Sequence, residues 1–211
     1  LRDPKLKLLF HTRASYSDET GKMVEQLKST GVKSIAVVYQ DDAFGKAGLK
    51  SAQGAFERQG VKPAIEAPID MNKLEALGPT IDKVAQTQPG AIIMVTAGKA
   101  STAFIREYLK TGQRPQFFGV SVLSAKALLG ELGSGAHGIV IAQVVPSPLR
   151  TSYGISKEFL AAAKKYDSKD VTYNSLEGYL TAKVFVEALR RAGKDLSRDK
   201  LVTALESLNN F

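Results

Sequence analysis

Apolar and polar positions alternate in short blocks along the first two thirds of the chain. Ile35-Ala36-Val37-Val38-Tyr39 is an apolar run that stops at the polar turn Gln40-Asp41-Asp42. From Ala43 the spacing becomes helical and predicts a helix over 43–59, ended by Gly60. The same cycle recurs. Strands are predicted at 6–12, 34–40, 61–69, 90–96, 116–119 and 137–145, and helices at 18–30, 43–59, 74–87, 100–111 and 123–132. Pro63 and Pro68 put the 61–69 strand near a sheet edge. Pro79 either kinks the 74–87 helix or marks its first turn. Strands separated by helices of about 10–15 residues imply βαβ crossovers. The expected fold class is therefore α/β, a doubly wound, mainly parallel sheet with helices on both faces.

The cycle breaks at Pro146-Ser147-Pro148. Beyond it the pattern predicts only helices, at 156–166, 174–192 and 197–208, the last capped by Ser197. An apolar stripe of Leu176, Leu180, Val184 and Leu189, with Tyr179 and Phe185, requires a partner surface. One α/β lobe followed by a helical segment belonging to another lobe accounts for both parts.

The 211 residues suffice for one large domain or two small ones. Cysteine is absent, which removes thiolate catalysis, disulfides and Cys-based zinc sites. The net charge of +8 is spread along predicted helices and turns, not gathered into a nucleic-acid-binding arm, so no nucleic-acid partner is expected. No apolar stretch approaches the roughly 18 residues of a membrane span. The chain opens at Leu1 without a signal-peptide pattern and stops just after a helical pattern, so both ends read as cut and a piece of a longer protein is expected.

Candidate chemistry is sparse. No G-x-G-x-x-G follows the 34–40 strand, and no G-x-x-x-x-G-K-[ST] occurs. Gly119-Val120-Ser121-Val122 lacks the second glycine of a nucleophile elbow. The two histidines, His11 and His137, read as structural or solvated, and no metal or other cofactor is expected. Asp41-Asp42 suggests part of a phosphorylation-receiver site. The aspartate such a site needs after a later strand is replaced by Ala97-Gly98, so helix capping is the preferred reading of the pair.

Taken together, an ordered series of motifs resembles the leucine/isoleucine/valine-binding type of periplasmic solute receptor that feeds ABC transporters. The series is RASYSDET at 13–20, IAVVYQDDAFGKAGL at 35–49, PGAIIMVTAG at 89–98, FIREYLKTG at 104–112, FFGVS at 117–121, GIVIAQVVPSP at 138–148 and LEGYLTAKVFVEALRRAG at 176–193. Each motif alone is weak; their order and spacing carry the resemblance. It implies two α/β lobes joined by crossing segments, with ligand closed between them. On that pattern 13–146 is the second lobe, 147–211 is a helical segment returning to the first, and the rest of the first is missing. Crossings are expected at 10–14 and 144–148.

The resemblance also implies ligand contacts, at Phe44 in the turn before a helix, Ala97 after the 90–96 strand, Ser121 after the 116–119 strand, Tyr179 on the return helix with Glu177 nearby, and Arg13 at a crossing. Each has a structural alternative. Phe44 and Tyr179 could serve as packing, Ser121 as a helix cap, and Arg13 as a hinge ion pair. Ser121 is a departure, because amino-acid receptors carry an acid there to meet the ligand ammonium. That leaves an aromatic or aliphatic carboxylate, a neutral compound or an amide-like ligand open beside the amino-acid ligands. The implied protein is a periplasmic binding receptor, not an enzyme, whose partners are a small solute and the permease subunits of an ABC transporter. The alternative is the effector domain of a transcription regulator with the same fold.

Overall fold

A computed structural model describes residues 6–209. Two compact units emerge. Ser15–Gln143 forms one, and the two ends of the chain, Leu1–Ala14 and Val144–Phe211, form the other.

The Ser15–Gln143 unit runs α1 (Tyr16–Ser29), β1 (Ile35–Gln40), α2 (Ala43–Gln59), β2 (Ile65–Ile69), α3 (Gly78–Gln86), β3 (Ala91–Val95), α4 (Lys99–Leu109), β4 (Gln116–Gly119), α5 (Ala125–Leu132), a short 3-10 turn, and β5 (Val140–Ile141). The five strands form one sheet in the order β2-β1-β3-β4-β5, and every pairing is parallel. Parallel strands need crossovers, and the helices supply them on both faces. One face of the sheet offers Ala36, Val38, Ile92, Met94 and Phe117 to α3, α4 and α5. The other offers Ile35, Val37, Ile93 and Phe118 to α1 and α2. Strands covered on both sides explain why β1 and β3 read as continuous apolar runs and not as alternating ones. β2 lies at the sheet edge, as Pro63 and Pro68 suggested. Pro79 occupies the first turn of α3, where its missing N–H deprives the helix of nothing.

Two expected strands differ. Residues 137–145 contribute only Val140–Ile141 to the sheet, extended by the Ala142 N–H to Gly119 carbonyl bond of 2.9 Å. Gly138 sits in the left-handed region and the Ile139 N–H turns back to the Ala136 carbonyl, so the segment leaves the strand path before it reaches Gln116 and Phe117. Residues 6–12 form no strand. They belong to the other unit, in which no strand occurs among the described residues, so their N–H and C=O groups have no ladder to join.

That second unit carries α6 (Gly154–Lys165), α7 (Tyr173–Ala192) and α8 (Arg198–Glu206). α7 begins with a reciprocal capping box between Thr172 and Ser175, and Ser197 caps α8. Leu176 of the apolar stripe is fully buried, whereas Phe185 remains 49% exposed.

Candidate functional site

In a parallel sheet all strand carboxyl ends lie along one edge, and the crevice forms where successive crossovers diverge. Here β1 leads outward to β2, and the next crossover returns past β1 to β3. The crevice therefore lies between the ends of β1 and β3.

Gln40, the last residue of β1, is 6% exposed and spans that crevice. Its Oε1 accepts from the Ala97 N–H at 2.6 Å, just past β3. Its Nε2 donates to Asp42 Oδ2 at 2.9 Å. The other Asp42 oxygen accepts the Gly45 N–H at 2.8 Å and so caps α2. Capping by Asp42 is the use the sequence suggested for this acidic pair, while Asp41 pairs with Lys46 at the surface.

Phe44 follows in the first turn of α2. It is half-buried, and its ring meets Tyr16 edge-on at 5.5 Å. This helix start sits close to the sheet because of two glycines. A Cβ on Gly45 would fall 1.9 Å from the Gln40 carbonyl oxygen, and one on Gly48 would fall 2.1 Å from Val95 Cγ1. Past β3, the buried hydroxyls of Thr96 and Ser101 bond at 2.7 Å and tie the strand end to the start of α4.

Ser121 lies two residues beyond β4 and is 5% exposed. It does not cap the following helix, since Ser124 does that. Instead its N–H donates to Glu19 Oε2 at 2.7 Å and its hydroxyl to Glu19 Oε1 at 2.9 Å. Glu19 is itself 5% exposed, in the first turn of α1, where the helix dipole favours a negative charge. Sequence reasoning missed Glu19 because its partner is 102 residues away and no local spacing links them. The sequence marks Gln40 only as the end of the 34–40 strand and the start of its polar turn.

Phe44, Ala97 and Ser121 thus share the carboxyl edge of one sheet. Arg13 and Tyr179 lie in the other unit, each beside an acidic residue. Arg13 pairs with Glu177 at 3.2 Å, beside Thr12, whose hydroxyl bonds that of Thr181 at 3.0 Å. The Tyr179 hydroxyl donates to Glu158 Oε1 at 2.7 Å, and its ring packs against Phe159. Lys183 reaches the second Glu158 oxygen at 2.7 Å. Those two donors, Lys183 first, hold the Glu158 carboxyl below its ordinary range, and the bond to Glu158 raises the Tyr179 phenol. Glu158 and Lys183 also line a groove of about 730 Å³ within this unit, with His11, Leu180 and Val184. Glu177, expected near Tyr179, serves Arg13.

Among the described residues no three His, Asp or Glu groups are placed to hold a metal ion. No helix among them is long and apolar enough to cross a membrane.

The family model for periplasmic binding proteins matches residues 3–211. The chain belongs to the periplasmic binding protein family. Solved members of similar structure include a substrate-binding periplasmic protein from Ralstonia solanacearum, with 30% identity, TM-score 0.87, and coverage of 98% of this chain and 59% of that one. A possible leucine/isoleucine/valine-binding protein from Rhodopirellula baltica SH 1 has 30% identity, TM-score 0.89, and coverage of 98% and 58%. An extracellular ligand-binding receptor from Verminephrobacter eiseniae has 25% identity, TM-score 0.87, and coverage of 98% and 60%. The chain therefore spans less than two thirds of the length of these periplasmic binding proteins. No curated protein matches it. The α/β fold with its parallel five-stranded sheet is the type I fold of this family.

Proposed function

We propose that this chain is part of a periplasmic solute-binding receptor for an ABC uptake transporter. The solute is a small amino-acid-like or carboxylate molecule, held at the carboxyl edge of the Ser15–Gln143 sheet. Binding works by hinge closure, driven by the solute's higher affinity for the closed state. The observation that carries this reading is the convergence of Phe44, Ala97 and Ser121 at neighbouring strand ends of a periplasmic binding protein. Phe44 supplies an apolar contact, and Ala97 and Ser121 line the far side. The relative described as a possible leucine/isoleucine/valine-binding protein supports an amino-acid solute. So does Glu19, whose buried carboxylate backs Ser121 and disfavours a second carboxylate there. Arg13 and Tyr179 are further candidate contacts on the family resemblance alone.

A thermal-shift screen with L-leucine, L-valine, L-phenylalanine, benzoate and small amides tests this. A solute at 100 times its Kd adds about 2.7 kcal/mol of apparent stability. At roughly 2–4 °C per kcal/mol for a chain of this size, the melting temperature rises by about 5–10 °C. Phe44→Ala removes most of that rise. A flat response across the panel sinks the receptor reading and favours the effector-domain alternative.

A further inference from the structure

We infer that Gln40 is a positioning residue for ligand recognition, a clamp that sets the spacing of the crevice between β1 and β3. The inference rests on the reading that solute meets Phe44 and Ala97. Gln40 is distinct from the residues assigned to solute contact in that reading. It acts through what its amide holds on each side.

On the β3 side, Oε1 fixes the Ala97 N–H at 2.6 Å, so the chain leaves the strand in one direction. On the β1 side, Nε2 holds Asp42 Oδ2 at 2.9 Å, and Asp42 in turn fixes the first turn of α2 through the Gly45 N–H at 2.8 Å. Phe44 lies within that turn. The ends of two strands and the start of a helix are thereby joined through one buried side chain. The backbone of Gln40 completes the arrangement, since its carbonyl is what Gly45 packs against.

An uncharged amide performs both tasks at any pH. It offers an acceptor to a backbone N–H and a donor to a carboxylate at once. A leucine of similar size offers neither. A glutamate offers both only while protonated. Once ionised, it faces the Asp42 carboxylate at hydrogen-bond distance, and the like charges push apart. Burial and the neighbouring Asp42 carboxylate favour the protonated form of a glutamate here, while the Ala97 N–H favours the ionised one, so the substitution should be better tolerated at lower pH.

Three variants test the clamp: Gln40→Glu, Gln40→Leu, and Leu27→Ala as a control for lost stability. Leu27 is a fully buried residue of α1 that takes no part in the Gln40 hydrogen bonds to Ala97 and Asp42. Binding of L-leucine, L-phenylalanine and benzoate is measured by calorimetry at pH 5 and pH 8, at 20 °C, with circular dichroism confirming the fold. Gln40→Glu should bind within about threefold of the parent at pH 5 and at least tenfold more weakly at pH 8. The parent should change by less than threefold between the two. Gln40→Leu should bind at least tenfold more weakly at both. Leu27→Ala should keep the parent affinity despite a lower melting temperature. Hydrogen exchange read at the Ala97 and Gly45 amides needs no solute, and Gln40→Leu should exchange at least tenfold faster at both. If the parent binds a probe and the Gln40 variants bind it equally well, the clamp is refuted while the receptor stands. Unchanged amide exchange refutes the clamp even if no probe binds. Failure of the parent to bind any probe removes the receptor reading and the recognition role of Gln40 with it.

Discussion

The closest packing between helix and sheet predicts a sign change along a single helix. α2 contains Gly45, Gly48 and Gly54, and an added methyl meets different surroundings at each. At Gly54 the nearest atom is Arg58 Nη1 at 3.4 Å, the end of a flexible, exposed side chain. Gly54→Ala should therefore collect the ordinary helix gain of about 0.8–1 kcal/mol. At Gly48 the methyl falls 2.1 Å from Val95 Cγ1, in the middle of the sheet, and overpacking there costs about 1–3 kcal/mol before the helix gain is deducted. At Gly45 the obstacle is backbone, with the Gln40 carbonyl oxygen at 1.9 Å and its carbon and nitrogen at 2.7 Å. No rotamer change relieves that contact, so α2 must lift from β1. The cost falls at or above the top of the overpacking range, leaving a net loss of about 2 kcal/mol or more. Urea denaturation followed by circular dichroism, with the three variants in parallel, reads the order directly. The melting temperature should rise by about 2–3 °C for Gly54→Ala and fall by about 5–8 °C for Gly45→Ala. If Gly45→Ala matches or exceeds the parent, α2 does not sit on β1 as described, and the clamp built on it loses its support.

Other expectations follow from the buried polar groups. Glu19→Ala leaves two buried donors of Ser121 without their carboxylate and should cost about 2–3 kcal/mol. A double-mutant cycle with Ser121→Ala should show coupling of at least about 1 kcal/mol, and simple additivity would contradict the pairing. Tyr108 is fully buried, donates to Gln113 Oε1 at 2.7 Å, and has its phenol pushed up to about 12 by burial. A raised folded-state pKa means stability present below pH 10 and lost as pH climbs toward 12. The parent should thus lead Tyr108→Phe at pH 7 and lose that lead by pH 12 in denaturation experiments. Glu158 has the opposite sign, since its lowered pKa gives stability above about pH 4.5 that fades as pH falls further. The pair is surface-exposed, so Glu158→Gln should cost less than about 1 kcal/mol at pH 7, and the difference should shrink as pH falls below 4.5.

Helix and strand alternation was legible because each carries its own period and its own punctuation. Ala43–Gln59 is bounded by Asp42 and by Gly60 in the left-handed region, both readable as signals, and the helix occupies the predicted residues. Gln116–Gly119 likewise forms the predicted strand. The segment 6–12 misled because LKLLFHT has the composition of a strand, and composition says nothing about whether a partner strand is present. The 137–145 stretch was overextended because its apolar content hides the turn at Gly138 on one side and the end of β4 at Gly119 on the other. The strand-end positions from which the site is proposed were legible, because topology fixes where carboxyl ends lie. Their partners were not. Gln40 reaches Ala97 across 57 residues, and Ser121 reaches Glu19 across 102, distances over which sequence patterns carry no information.

That second contact changes what the Ser121 position asks of a solute. A serine in place of an acid pointed away from an ammonium group and toward carboxylates. The acid is nevertheless there, one side chain removed. Ser121 commits its hydroxyl proton to Glu19 Oε1, so toward any other group the hydroxyl acts as an acceptor. An acceptor backed by a carboxylate suits a donor such as an ammonium and repels an anion. On the proposed reading, L-leucine and 4-methylpentanoate make a decisive pair, since they share a side chain and a carboxylate and differ in the ammonium alone. L-leucine should bind at least tenfold more tightly, with Glu19→Gln narrowing the gap, because an amide both removes the charge and allows Ser121 to turn its proton outward. Equal affinity for the two compounds would mean that the Glu19 charge takes no part in recognition and that its role ends at holding Ser121 in place.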